Sequence, residues 1–331
     1  MTGDAVVVRD QPVRIAGGRL DLHVKVAGEG PPLVFFHALA GLAWEPLLDE
    51  LAAQYTVYAP EHPGTSPGEH RAIDEVQTFW ELLLGYEELI RALGLERPVA
   101  VGQSYGGMVA ADLAATFPDL FSRLVLLSPA GLWLDRAPIP LMQMVAGPPE
   151  ELPQYLFAHP EGPGAQAMLA PPANPAQIPA AIAQQTWNIG CTTKFAWPIP
   201  DHGLGRRLHR VSVPTLVVWG RQDALIPVDY AAEFGSRIAG SQVEIIDDCG
   251  HVVQADQRAA AWTAISKFLA ASTLVDIKLT SRPVCKLRLH AWRSWLPGAA
   301  SAGAPAHTYA QWAVDHADDF RQAIGQTPTA S

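Results

Sequence analysis

Cysteine is scarce in this sequence: three of 331 residues, at positions 191, 249 and 285, with no pair at the short spacing of a zinc site or redox motif. That argues against a disulfide framework and a cysteine-held metal, and no metal or cofactor is expected. Charge is scarce as well. Asp, Glu, Lys and Arg make up 17% of the chain, and acidic residues outnumber basic ones 33 to 23, for a formal net charge of −10. A surface of that sign does not neutralise phosphates, which argues against nonspecific nucleic-acid binding. Although 49% of the residues are hydrophobic, no uninterrupted apolar run approaches the ~20 residues that cross a bilayer. Met1-Thr2-Gly3-Asp4-Ala5 carries neither a basic leader nor the apolar stretch of a signal sequence. The expectation is a cytoplasmic protein without a membrane span, with one large core or a core plus a lid, and with a small molecule as partner. Oligomeric state is left open.

What the chain does contain is a strand-like run joined to a helix-like run through Gly-x-Ser-x-Gly: Val99-Ala100-Val101-Gly102-Gln103-Ser104-Tyr105-Gly106-Gly107-Met108. This is the layout of a nucleophile elbow, a turn that holds Ser104 in strained backbone geometry with its hydroxyl projecting. The chain crowds there so closely that side chains at 102 and 106 would collide, and Gly102 and Gly106 relieve that crowding. By itself the pattern is also that of a glycine-rich turn in any doubly wound sheet. It needs a base and an acid.

Both follow downstream. Thr215–Gly220 is a strand run ending in the loop Arg221–Pro227, which places Asp223 just past a strand's carboxyl end. Val243–Ile246 is a second strand run, and His251 sits in the loop after it. Loops at the same edge of one parallel sheet can converge. Rival acids are Asp247 and Asp248, read as turn residues, and Asp135, separated from the strand Leu124–Leu127 by a stretch of loop. Asp256 is expected to cap the helix Arg258–Ala271.

With these residues in order, the chain resembles the serine-type α/β-hydrolase family from about Ala5 to about Ala271. The strand Leu33–Phe36 is followed by His37-Ala38-Leu39-Ala40-Gly41, where that family carries a His-Gly-x-x-Gly oxyanion loop; Ala38 stands in place of a glycine. After the next strand, Tyr55–Ala59, the run His62-Pro63-Gly64-Thr65-Ser66-Pro67-Gly68 replaces the frequent Pro-Gly-x-Gly-x-Ser. The resemblance implies an α/β fold with a doubly wound, mostly parallel sheet and an inserted, mainly helical cap. Its core would span 1–132 and 208–272, its cap 133–207, and 273–331 would be an atypical extension.

The roles follow from the chemistry. A serine hydroxyl is a poor nucleophile until a base takes its proton, and His251 is the base whose type suits neutral pH. Asp223 would orient the imidazole. The oxyanion formed on attack would be received by the backbone N–H groups of Leu39 and Tyr105, aided by the helix that starts near Gly106. His37 is read chiefly as a support for the oxyanion loop. Helices are predicted over Trp44–Gln54 and Asp74–Leu93, the latter from the helical spacing of Phe79, Leu82, Leu83, Tyr86, Leu89, Ile90 and Leu93.

Between Trp133 and Arg207 stand thirteen prolines, which exclude long strands and predict short helices. The aromatic and apolar residues there, Trp133, Met142, Met144, Tyr155, Phe157, Met168, Trp187, Phe195 and Trp197, predict a hydrophobic roof. With His37 and Val252, Trp133, Trp187 and Trp197 are the candidate pocket residues. The expected activity is cleavage of a small, mainly apolar carboxylic ester or thioester through an acyl-enzyme. Alternatives on the same triad are carbon–carbon hydrolysis of a vinylogous diketone, lactonase and prolyl aminopeptidase activity. Carbon–carbon hydrolases of this resemblance often place Trp directly after the catalytic His, where this chain has Val252. Outside catalysis, the alternative is a ligand receptor on a hydrolase scaffold.

Overall fold

A computed structural model of the chain describes residues 6–140, 147–196 and 200–271. The expectations for Met142, Met144, Trp197 and the extension 273–331 fall outside the described residues. Eight strands among the described residues form one sheet: β1 (Arg9–Ile15), β2 (Leu20–Ala27), β3 (Pro32–Phe36), β4 (Thr56–Pro60), β5 (Val99–Gln103), β6 (Arg123–Leu127), β7 (Thr215–Gly220) and β8 (Gln242–Ile246). Their order is β1-β2-β4-β3-β5-β6-β7-β8. β1 pairs with β2, and β2 with β4, in antiparallel fashion; every pair from β4 to β8 is parallel. The hairpin β1–β2 turns through Ala16–Gly18.

The apolar runs become strands buried on both faces because side chains alternate across a strand. In β6, Leu124 and Leu126 enter one apolar layer while Val125 and Leu127 enter the other. In β7, Val217 and Trp219 oppose Leu216 and Val218 in the same way. Helices cover both faces. α1 (Pro46–Ala52) packs on the layer of Val125 and Leu127; α2 (Phe79–Ala92) and α3 (Tyr105–Thr116) pack on the other. α2 starts later than its apolar spacing predicts. Residues 70–75 wind into a tighter 3₁₀ turn, and Thr78 and Glu81 close a capping box: Glu81 N–H donates to Thr78 Oγ1 (3.1 Å) and Thr78 N–H to Glu81 Oε2 (2.9 Å).

Among the described residues the segment between β6 and β7 contains helices and no strand: α4 (Leu152–Leu156), α5 (Pro163–Leu169), α6 (Ile178–Thr193) and α7 (Leu204–Arg207). At 16 residues, α6 is longer than the proline content predicts. Pro179 lies in its first turn, where a missing N–H costs no hydrogen bond. The chain then completes the sheet with α8 (Asp229–Arg237), α9 (Val253–Asp256) and α10 (Arg258–Ala270).

The chain steps from β3 to β4 on one side, then crosses back over β3 to β5 on the other, so the direction of the connections reverses there. Such a reversal leaves a crevice outside the carboxyl ends of the two strands that flank it. Phe36 of β3 is level with Gly102 of β5, so His37–Gly41 and Ser104 emerge together into that crevice.

Candidate active site

Ser104 joins β5 to α3 at φ 54° and ψ −115°, in the left-handed half of backbone space. Hydrogen bonds fix this strained turn: its N–H donates to Leu127 O (2.8 Å), and its carbonyl accepts from Met108 N (3.1 Å) and Ala130 N (3.0 Å). A Cβ on Gly102 would run into the backbone of Gly106 and Gly107, and one on Gly106 into the carbonyl of Phe36. α3 lies buried along its length from Tyr105 to Ala115, and its glycines and alanines let it approach the sheet.

The structure brings Ser104, His251 and Asp223 together. His251 Nε2 is 2.8 Å from Ser104 Oγ, and His251 Nδ1 is 2.8 Å from Asp223 Oδ2. All three are buried. The other carboxylate oxygen, Asp223 Oδ1, accepts from Leu225 N (3.0 Å) and Ile226 N (2.8 Å), which holds the carboxylate with Oδ2 toward the imidazole. A proton on Nδ1 then bonds the carboxylate and leaves the Nε2 lone pair for the serine hydroxyl. The loops carrying Asp223 and His251 are tied to each other: Gln222 N–H donates to Cys249 O (2.9 Å), and Cys249 N–H to Gln222 Oε1 (3.1 Å).

The rival acids are engaged elsewhere. Asp247 pairs with Arg221, Asp248 occupies an exposed turn at φ 50°, and Asp135 accepts from Trp133 Nε1 (3.0 Å). Asp256 does not cap α10, whose first turn has no side-chain cap. Its Oδ2 instead accepts from Gly250 N and Ala158 N, each at 2.7 Å. This joins the His251 loop to the segment after α4, beside a bond from Val252 N–H to Leu156 O (3.1 Å).

The loop 37–41 is held by its carbonyls. His37 Nε2 accepts from His62 N (3.0 Å), so its proton is on Nδ1, which donates to Ala38 O (2.7 Å). Burial pushes the His37 imidazole below its ordinary pKa, in keeping with a neutral ring. Thr192 Oγ1 donates to Leu39 O (2.8 Å) and Asn188 Nδ2 to Ala40 O (3.0 Å), both from α6. Ala38 is not among the residues at positive φ, so an alanine fits where the resemblance has glycine. The N–H of Tyr105 lies in the first turn of α3, among the helix N–H groups without an intrahelical acceptor.

A cavity of about 490 Å³ opens on Ser104. His37, Leu39, Gln103, Leu225, His251 and Val252 line it from the core side, and Leu152, Leu156, Met168, Leu169, Ile178, Ile182 and Ile189 from the segment between β6 and β7. Two of the expected pocket residues are elsewhere. Trp133 packs against the core with its Nε1 on Asp135, and Trp187 is 45% exposed, with its Nε1 donating to Gly64 O (2.9 Å) and its ring against His70. Their indole N–H groups each need an acceptor, and loops away from the cavity supply it. Trp197 is outside the described residues. The apolar wall is built from aliphatic side chains and Met168 instead.

Glu45 was not anticipated. It occupies the position before α1 but its side chain makes no cap bond there; it lines the cavity, and Gln254 Nε2 donates to its carboxylate oxygens at 3.1 and 3.3 Å. Burial pushes its carboxyl up to about 7, with the Gln254 bond acting in the opposite direction. Cys191 and Cys249 are buried thiols, pushed up to about 11 and about 12 respectively by burial. Among the described residues no cluster of three or more His, Cys, Asp or Glu could hold a metal ion, and no helix is long and apolar enough to cross a membrane.

Comparison with known proteins agrees with this architecture. The 2-hydroxy-6-oxo-6-phenylhexa-2,4-dienoate hydrolase of Comamonas testosteroni is 26% identical over 260 residues, covering 70% of this chain and 85% of the relative. The pimeloyl-[acyl-carrier protein] methyl ester esterase of Vibrio atlanticus is 26% identical over 248 residues, covering 70% and 91%. The solved 2-hydroxy-6-oxo-6-phenylhexa-2,4-dienoate hydrolase of Rhodococcus sp. strain RHA1 superposes with a TM-score of 0.66 at 22% identity, over 81% of this chain and 100% of the other. The model of the alpha/beta hydrolase fold family matches residues 31–257, and with that match the chain belongs to the alpha/beta hydrolase fold family.

Proposed function

We propose that the protein is a serine hydrolase that cleaves a small, mainly apolar carboxylic ester or thioester through an acyl-enzyme on Ser104. The observation that carries this reading is the hydrogen-bonded chain Ser104–His251–Asp223 facing an aliphatic cavity. In the first step Ser104 Oγ attacks the acyl carbon while His251 Nε2 takes the hydroxyl proton. Asp223, held on two backbone N–H groups, stabilises the imidazolium. The N–H groups of Leu39 and Tyr105 receive the oxyanion. As the intermediate collapses, the acyl carbon parts from the alcohol or thiol, which leaves with the proton from His251. Water then attacks the acyl-enzyme by the same route, releasing the acid and restoring Ser104. The described residues between 147 and 196 serve as the cap that shapes the cavity.

A second reading, hydrolysis of a carbon–carbon bond in a vinylogous diketone, is favoured by the activity named for the Comamonas relative. Val252, in place of the tryptophan expected after the base, weighs against it. Labelling with a fluorophosphonate tests the mechanism: the protein labels at Ser104, and Ser104→Ala and His251→Ala do not label at a measurable rate. Folded wild-type protein that stays unlabelled would overturn the catalytic reading. A series of p-nitrophenyl esters of increasing chain length, run beside a ring-cleavage diketone, tests the bond. Turnover of the diketone without turnover of any ester would select the second reading.

A further inference from the structure

Glu45 is the one carboxylate among the described residues of a mainly apolar cavity wall, whose other polar side chains are His37, Gln103, Ser104, Gln185 and His251, and no Lys or Arg is among them. It forms no ion pair among the described residues; Gln254 Nε2 is its hydrogen-bond donor, and Gln254 Oε1, on the other side of that amide, is buried without a partner. The surrounding titratable groups are otherwise committed. His37 and His251 on the cavity wall are bound to Ala38, His62, Asp223 and Ser104. On α1, Asp49 accepts from Trp44 Nε1, and Glu50 pairs with Arg258 of α10.

From this placement we infer that Glu45 is a specificity-determining residue: it admits uncharged acyl groups to the cavity and turns away substrates that carry a carboxylate. The inference rests on the serine-hydrolase reading and narrows its substrate class. A carboxylate entering the cavity meets a second carboxylate and, among the described residues, no Lys or Arg to offset it. Two like charges about 7 Å apart, with an effective dielectric constant of about 20, weaken binding by roughly tenfold or more. When Glu45 is protonated the repulsion vanishes, and its O–H donates a hydrogen bond. Because burial moves its titration to about 7, discrimination against carboxylates grows as pH rises from 6 to 8.

The test compares methyl hexanoate with monomethyl adipate, whose far end is a carboxylate, by chromatographic assay of the released acids at pH 6 and pH 8. In the wild type the ratio of kcat/KM, neutral over anionic, rises several-fold between the two pH values; in Glu45→Gln it stays constant. A wild-type ratio that does not change, or the same rise in Glu45→Gln, overturns the inference. A binding arm is independent of turnover. Hexanoate stabilises Ser104→Ala protein against heat less at pH 8 than at pH 6 relative to hexanol, and the Ser104→Ala/Glu45→Gln double variant lacks this difference. If the binding arm behaves so while neither ester is cleaved, the hydrolase reading fails and the role of Glu45 stands. If the esters are cleaved and neither arm depends on Glu45, the role of Glu45 fails alone.

Discussion

Replacing Asp256 probes how His251, the proposed base, is held in place. Its Oδ2 accepts from Gly250 N–H, one residue before His251, and from Ala158 N–H in the segment after α4, each at 2.7 Å. Hydrogen bonds to an ionised acceptor contribute about 1.5–3 kcal/mol each. Asp256 is only partly buried, so water replaces part of what is lost, and Asp256→Ala costs about 3 kcal/mol by this reasoning. For a folded unit of this size that lowers Tm by about 6–12 °C. Asp256→Asn keeps one neutral acceptor oxygen and costs roughly half as much. The same substitution frees the loop that carries His251, whose Nε2 stands 2.8 Å from Ser104 Oγ. A shift of about 1 Å in such a contact lowers the rate by about a hundredfold. The expected order of both melting temperature and fluorophosphonate labelling rate is wild type, Asp256→Asn, Asp256→Ala, with Asp256→Ala at least tenfold slower than wild type. Asp256→Ala protein with a wild-type Tm and labelling rate would refute the assignment.

Gly106→Ala drives a methyl group into the carbonyl of Phe36, so β3 and the elbow must part; the variant loses about 3 kcal/mol or more, and its soluble yield, melting curve and labelling report it. Arg207 bonds the buried carboxylate of Asp112 in α3 at 2.9 and 2.7 Å; Arg207→Leu costs about 3–5 kcal/mol in urea unfolding, and Asp112→Leu/Arg207→Leu recovers much of it. For Glu45, the folded pKa of about 7 lies above the ordinary 4.5, so the folded state binds the proton more tightly and stability falls as pH rises through that window. Relative to Glu45→Gln, the wild type therefore loses about 1–3 kcal/mol between pH 4.5 and pH 8; urea midpoints with the same pH dependence in both proteins would contradict this.

The strands and loops that carry Ser104, Asp223 and His251 were legible because each rests on a local pattern: a short apolar run, then a turn. β7 spans Thr215–Gly220 as read from its residues, and β6 and β8 each begin one residue before their expected bounds. Helix limits were less legible where a local rule met a competing one. Thr78 and Glu81 restart the chain as α2 after a 3₁₀ turn, although apolar spacing runs through the boundary. In α6, proline content suggested a break, but the position of Pro179 in the first turn makes it compatible with 16 helical residues.

The residues whose surroundings were misread are those whose partners lie far away in the chain. Asp256 looked like a cap because a helix begins two residues later, yet its carboxylate reaches Ala158, 98 residues back. Glu45 and Gln254 are 209 residues apart, and neither belongs to a motif. Trp133 and Trp187 were expected in the pocket on aromatic character alone, but an indole N–H requires an acceptor, and Asp135 and Gly64 supply it elsewhere. Reaction geometry in this fold thus depends on short segments at the ends of neighbouring strands, which sequence order exposes. Under the proposed function, selectivity depends on which side chains the segment between β6 and β7 and the turn before α1 bring to the same cavity. Leu152, Ile182 and Glu45 meet there only after the chain has folded back across β3 and β5. Two chains that share the elbow and the order of acid and base can therefore differ in the acyl group they accept through residues that no local pattern singles out.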